Sequence, residues 1–260
     1  MSYLAKLLDS TRARVAEAKE RVTADALEQR IAAAGETRSF GSALVGPEVA
    51  IIAEIKRASP SKGVFDANLS ASAAAADYAR GGAAALSVLT EPEFFRGSLD
   101  DLSSAASAGL PLLRKDFIVD EFQVLESRAA GADALLLIVR ALGDDELSGL
   151  MAASRSLGMD ALVEVHELED LDRAMEAGAD LIGVNNRDLE TFEVDEQRTA
   201  DLASRVSKEV TLVSLSGVST RAAVEAQAAA GAHAVLVGEA LVRSEDPAST
   251  LRELRGVDAN

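Results

Sequence analysis

From Val49 to about Val242 the chain alternates short apolar runs with longer amphipathic stretches. The runs read VAIIAEIK, AAALSVLT, LPLLRKDF, ADALLLIV, DALVEVH, ADLIGVNN, VTLVSLS and AHAVLVGE. Short apolar segments bounded by glycine or polar residues are the pattern of strands buried on both faces. A Gly-Ala pair opens every second run, at Gly82-Ala83, Gly131-Ala132, Gly178-Ala179 and Gly231-Ala232. It returns roughly every 50 residues, the length of two strand–helix units. The glycine suits a helix C-cap, and the small alanine admits the turn into the next strand. Eight strands with helices between them predict an α/β fold, a (β/α)8 TIM barrel, with residues 1–260 forming a single domain. Ahead of the barrel, residues from Tyr3 to about Ala34 read as helical. Leu4, Leu7, Leu8, Val15 and Ala18 fall at helical spacing, and a second helical stretch runs around Ala24–Ala33. Gly35 to Pro47 reads as a turn-rich connection, so residues 1–46 form a helical N-terminal extension. A doubly wound open sheet is the alternative, but no GxGxxG follows the first strand.

Polar residues interrupt the pattern at one end of the strands. In VAIIAEIK, alternation puts Ala50, Ile52, Glu54 and Lys56 on one face and Ile51, Ala53, Ile55 and Arg57 on the other. Two charges at the end of a buried strand need a reason, because an unpaired buried charge is costly. Later strands repeat the feature. Lys115 shares a face with Leu113 and Phe117, and Glu164 shares one with Leu162 and His166; Asn185 and Arg187 end another strand. In a (β/α)8 barrel these C-terminal strand ends surround one pocket. Gly217 and Gly238–Ala240 follow the last two strands, where backbone N–H groups could cradle a phosphate. Glu239 then lies in a first helical turn, where its charge favours the helix dipole.

Composition narrows the chemistry. The chain has no cysteine, which excludes disulfides, thiolate metal sites and cysteine nucleophiles, and only two histidines, His166 and His233, both read as structural. No metal site is expected. A net charge of −17 argues against a nucleic-acid or acidic-membrane partner. An anionic substrate would therefore need local cations; of the six lysines, Lys56, Lys62 and Lys115 fall in the two segments singled out by their charges. The N-terminus lacks the pattern of a signal peptide, and no apolar run approaches the ~20 residues that cross a bilayer. A cytoplasmic monomer is expected.

The segments IAEIKRASPSKG, TEPEFFRGSLDDL, LLRKDFIVDEFQV, ALLLIV, ALVEVH, IGVNNRDL and AVLVGEAL together resemble indole-3-glycerol phosphate synthase, over about Ala50 to Val242. The resemblance implies a carboxy-lyase of tryptophan biosynthesis. Its substrate would be 1-(2-carboxyphenylamino)-1-deoxyribulose 5-phosphate, closing its ring with loss of CO2 and water to give indole-3-glycerol phosphate. It also implies roles. Lys115 would be the general acid on the ribulose carbonyl, Lys56 would hold the substrate carboxylate, and Glu164 would be the acid/base group of the dehydration. Glu54 and Asn185 would position the lysines and substrate hydroxyls, Phe95 and Phe117 would line the anthranilate pocket, and Arg187 would contact the substrate. Ser61, Ser216, Gly217, Gly238 and Glu239 would supply phosphate contacts. No redox step occurs, so no cofactor is expected. Phosphoribosylanthranilate isomerase, another sugar-phosphate barrel, relies on a cysteine that this chain lacks.

One position departs from the family pattern. Where the family has Glu-Ser-Gly after strand seven, this chain has Leu215-Ser216-Gly217. Alternation sends Leu215 inward with Val213, into the pocket mouth. A third carboxylate is then missing and the rate reduced, with a catalytically impaired sugar-phosphate-binding paralogue as the alternative.

Overall fold

The computed structural model describes residues 2–188 and 190–257. Met1, the final three positions and Leu189, the last residue of the IGVNNRDL segment, lie outside them. Eight parallel strands close into a barrel: β1 (Ala50–Ile55), β2 (Ala85–Leu89), β3 (Leu112–Lys115), β4 (Ala134–Ile138), β5 (Asp160–Val165), β6 (Leu181–Asn185), β7 (Thr211–Leu215) and β8 (Ala234–Val237). Neighbours in sequence are neighbours in the sheet, and β8 closes on β1 with Ala50 opposite Ala234. Every strand is buried along most of its length because both faces are covered, as the continuous apolar runs require.

The two faces hold different cores. Ile51, Ala53, Leu86, Val88, Leu135, Val163, Val184 and Val235 point outward against the helices. Ile52, Ala85, Leu113, Leu136, Leu162, Leu181, Val213 and Leu236 fill the interior. Helices α4 (Ala71–Gly81), α5 (Leu99–Ala105), α6 (Glu121–Ala129), α7 (Asp144–Ser156), α8 (Leu168–Glu176), α9 (Arg198–Ala203) and α10 (Arg221–Ala229) follow the first seven strands, and α11 (Glu239–Val242) and α12 (Pro247–Arg255) follow the eighth. The glycine of each Gly-Ala pair has a left-handed backbone, with φ from +77° at Gly178 to +103° at Gly231, a region in which a Cβ is strained.

The extension splits where Thr23 caps a new helix: α1 spans Tyr3–Arg21 and α2 spans Ala24–Ala33, with the Thr23 hydroxyl accepting from Ala26 N at 3.2 Å. Val15 and Leu27 pack with Phe122 of α6, so the extension runs along the outside of the barrel. The segment expected to be only a connection does more. It forms α3 (Phe40–Ala43), whose Phe40, with Leu44 just beyond, is fully buried among the interior side chains. Arg38 pairs with Asp133 at 2.9 Å, and Gly41 N donates to Asp160 at 2.8 Å, so this plug closes the end where the strands begin. Burying one such phenyl ring stabilises by about 1.5–3 kcal/mol. The other end is left for the site.

Candidate active site

A cavity of about 820 Å³ opens at the C-terminal ends of the strands. Glu54, Lys56, Ser61, Phe95, Lys115, Phe117, Asn185, Arg187, Ser216, Gly217, Gly238 and Glu239 all line it. The alternation read from the sequence accounts for this convergence. Glu54 and Lys56 continue the inward face of Ile52, and Lys115 continues that of Leu113. Arg57, on the outward face, instead forks onto Asp101 of α5 at 2.6 and 2.7 Å, and its charge is held by that hydrogen bond.

Two lysine–carboxylate pairs stand in the site. Lys56 Nζ donates to Glu54 Oε1 at 2.5 Å. The pair presses on the backbone of Gly238, where an added Cβ would stand 2.8 Å from Lys56 Nζ and closer still to Glu54. The glycine is thus required by close approach. Lys115 Nζ lies 3.9 Å from Glu164 Oε2, while Asn185 Nδ2 donates to Glu164 Oε1 at 2.9 Å. Glu164 stands behind Lys115 and Asn185 and is not in the wall of the large cavity; with Asn185 it borders a small void of about 10 Å³.

Behind Lys115, Asp116 is buried and accepts from Thr90 Oγ1 at 2.7 Å and Phe117 N at 2.9 Å. Burial raises its pKa, but the charges of Arg114 and Arg14 and these hydrogen bonds outweigh it and hold the carboxyl below the ordinary range. Arg14 lies on α1, 3.3 Å from Asp116, so the extension is tied to the strand end that carries Lys115.

The roof also comes from the extension. Tyr3 and Leu7 line the cavity. Tyr3 meets Phe94 and Phe192 edge-on at 5.8 and 5.2 Å, and Glu190 accepts from Tyr3 N at 2.9 Å, at the helix end that favours a carboxylate. Phe95 and Phe117 lie 6.5 Å apart as a tilted pair. The opposite side of the mouth holds Gly217, Ser219, Gly238–Ala240 and Arg243. Five cations, Lys56, Lys62, Lys115, Arg187 and Arg243, face three acids, Glu54, Glu196 and Glu239, inside a chain of net charge −17. The local field is therefore opposite to that of the whole molecule.

Several lining residues escaped sequence reasoning. Phe65 lies 5.7 Å from Lys56 Nζ and 5.0 Å from the Arg243 guanidinium, and Arg243 pairs with Glu239 at 3.1 Å. A lone aromatic residue in the polar loop SPSKGVF, and an arginine one helical turn after Glu239, were the available signals. Backbone strain left no sequence signal. Among the described residues, Arg96, Phe192 and Ser216 are the non-glycine positions with positive φ, at +56°, +61° and +66°. Two of them line the cavity and the third follows Phe95; each costs on the order of 1 kcal/mol or more.

Leu215 corrects the sequence reading. It does point inward with Val213, but it does not reach the mouth. It is 1% exposed and lies over Gly183, where an added Cβ would meet Leu215 Cδ1 at 2.7 Å, and it belongs to the interior core with Leu162. Leu215 is thus part of the packed layer beneath the cavity. A further cleft of about 540 Å³ lies between α9 and α10, lined by small residues with Lys208 and His233, and contains none of the predicted site residues.

Fold and site together define a (β/α)8 barrel with lysine–carboxylate pairs and a cation-lined mouth. A profile of the indole-3-glycerol phosphate synthase family matches residues 4–254. Relatives named indole-3-glycerol phosphate synthase include a protein of Rhodococcus jostii, 46% identical over 261 residues (100% of this chain, 97% of the relative). One of Desulfosudis oleivorans is 52% identical over 205 residues, 78% of each chain. The chain belongs to the indole-3-glycerol phosphate synthase family, and the expectation of a carboxy-lyase of tryptophan biosynthesis stands with that membership. A solved 3-hexulose-6-phosphate synthase shares the fold, with a TM-score of 0.62 at 20% identity over 81% of this chain and 100% of that one.

Proposed function

We propose that the cavity binds 1-(2-carboxyphenylamino)-1-deoxyribulose 5-phosphate and converts it to indole-3-glycerol phosphate, CO2 and water. The observation that carries this reading is the order of groups around one cavity. The aromatic pair Phe95 and Phe117 and the lysines Lys56 and Lys115 lie among the strand ends, and the glycine-rich mouth with Arg243 follows β7 and β8. That order matches an aromatic acid at one end of a ligand, a sugar in the middle and a phosphate at the other.

In this reading the anthranilate ring lies against Phe95 and Phe117, and Lys56 holds its carboxylate until CO2 leaves. Glu54 aims Lys56 through their 2.5 Å hydrogen bond. Lys115 donates a proton to the ribulose carbonyl oxygen as the ring carbon attacks, and Glu164 takes and returns protons in the loss of water. Asn185 fixes one Glu164 oxygen and leaves the other toward Lys115. Arg187 contacts the sugar. The phosphate is bound by Ser61, Ser216, Gly217, Gly238 and Glu239, mainly through backbone N–H groups, since the first N–H groups of a helix have no partner within it. Arg243 adds charge at that end. A soluble monomer acting in the cytoplasm on a small anionic sugar phosphate, without nucleic acid, membrane or cofactor, completes the proposal.

The test is the fluorescence of the indole product formed from that substrate. Lys115→Met should lower turnover by about 10²-fold or more while a phosphate-bearing product analogue still binds. Turnover at the wild-type rate would remove Lys115 from the role of general acid. A second reading, a binding paralogue with impaired chemistry, draws on Leu215 standing where the family pattern has Glu; absence of turnover in the unmodified protein, with binding retained, would favour it.

A further inference from the structure

Three polar atoms near the end of β5 are buried without a hydrogen-bond partner among the described residues: Glu164 Oε2 and both ring nitrogens of His166. Buried polar atoms are nearly always satisfied, so each such exception needs a physical account. The two side chains share more than burial. They lie two residues apart on one face of the strand, roughly 6.6 Å along the chain. Both border the same small recess of about 10 Å³, which Ile138, Arg140, Val165, Asp170 and Asn185 also line. With Glu164, His166, Asp170 and Asn185 on its wall, a recess of this size is just large enough for one water molecule.

The far side of His166 faces solvent through acids. Nε2 lies 3.6 Å from Asp188 Oδ2, and Nδ1 lies 3.8 Å from Glu167 Oε1; the Asp188 side chain is 25% exposed. Arg140 pairs with both Glu167 and Asp170, and Asp170 also accepts the backbone N–H groups of His166 and Glu167. Arg198 completes the charged surroundings. Burial, and then the charges of Arg140 and Arg198, lower the His166 pKa against the pull of Asp188 and Glu167. A neutral imidazole accepts a proton at one nitrogen and releases one from the other.

We propose that His166, through one water in this void, relays protons between Glu164 and the surface at Asp188. The proposal rests on the acid/base reading of Glu164. Asn185 occupies Oε1, while Oε2 stands 3.9 Å from Lys115 Nζ without a hydrogen bond among the described residues, so a water in the void would give it a partner. As the O–H bond of protonated Glu164 breaks, the void water takes that proton and passes one of its own to the bare ring nitrogen. The N–H on the other nitrogen gives its proton to Asp188 or bulk water. The reverse sequence recharges Glu164, and no electrons change hands.

The test uses the full chain and two substitutions, one at each end of the relay. His166→Leu should lower kcat by about tenfold or more, leave KM within twofold, and raise the solvent deuterium isotope effect on kcat. Asp188→Asn should move kcat and the isotope effect in the same direction by less. The chain has two histidines, so their imidazole NMR signals are separable. In Glu164→Gln the NMR titration of the His166 imidazole should move. Wild-type kcat and isotope effect in His166→Leu would overturn the relay. Should that variant not fold, the same null result in Asp188→Asn, with an unmoved His166 signal in Glu164→Gln, would overturn it. Wild-type turnover in Glu164→Gln would instead overturn the acid/base reading beneath the relay.

Discussion

The two lysine–carboxylate pairs of the site use the same chemistry in opposite ways. Glu54 and Lys56 are two residues apart on one strand, in contact at 2.5 Å and wedged against Gly238. Lys115 and Glu164 come from β3 and β5, stand 3.9 Å apart, and leave one carboxylate oxygen without a hydrogen bond among the described residues. A tight pair on one strand is a fixed charge pattern, good for holding a ligand. A loose pair from two strands that flank β4 leaves a proton donor and an acceptor free to act on something between them. The separation of binding from proton transfer is thus written into which strands supply the partners.

Breaking the loose pair should cost most. Glu164→Gln keeps the shape and the Asn185 contact but cannot exchange a proton, so kcat should fall about 10²-fold or more, with KM little changed. Breaking the tight pair should read differently. Lys56→Met should raise KM about tenfold to a hundredfold, the size expected from losing one charge-assisted hydrogen bond of about 1.5–3 kcal/mol. Steady-state kinetics of both variants against the same substrate checks the contrast, and identical kcat and KM signatures would erase it.

Truncating residues 2–34 removes the Tyr3 and Leu7 roof and the Arg14 tie to Asp116 but spares the plug at Phe40 and Leu44. Substrate affinity should drop more than barrel stability, measured by titration calorimetry beside thermal unfolding. Equal losses in both would make the extension a structural brace.

Leu215→Glu sharpens the loose pair from beneath. A carboxylate in that packed layer should lower Tm, because a buried charge loses its solvation. It also restores the acid that the family pattern supplies, so turnover per folded molecule should rise. A fall in turnover would show that the barrel has been rebuilt around the leucine.

The smallest effect should be at Asp116, which anchors the Lys115 strand end. Its folded pKa is depressed, so it contributes stability above its unfolded value near 4, and that contribution is lost as pH falls through the folded value. Asp116→Asn should therefore lower stability at neutral pH and flatten the loss of stability below about pH 4. Denaturant unfolding across that range checks the sign.

The apolar runs, their Gly-Ala punctuation and strand alternation were enough to predict the barrel and the face on which Glu54, Lys56, Lys115 and Asn185 meet. Those properties are local: a strand's period of two fixes which side chains point inward whatever its neighbours do. Leu215 shows the limit of that rule. Alternation gave its direction correctly, but its depth depended on Gly183 of the adjacent strand leaving room for it. The plug at Phe40, the Phe65–Arg243 contact, the strained Ser216 and the void shared by Glu164 and His166 were likewise decided in three dimensions. Each joins segments far apart in the chain or depends on backbone geometry set by packing. No periodicity within one segment encodes the distance to another.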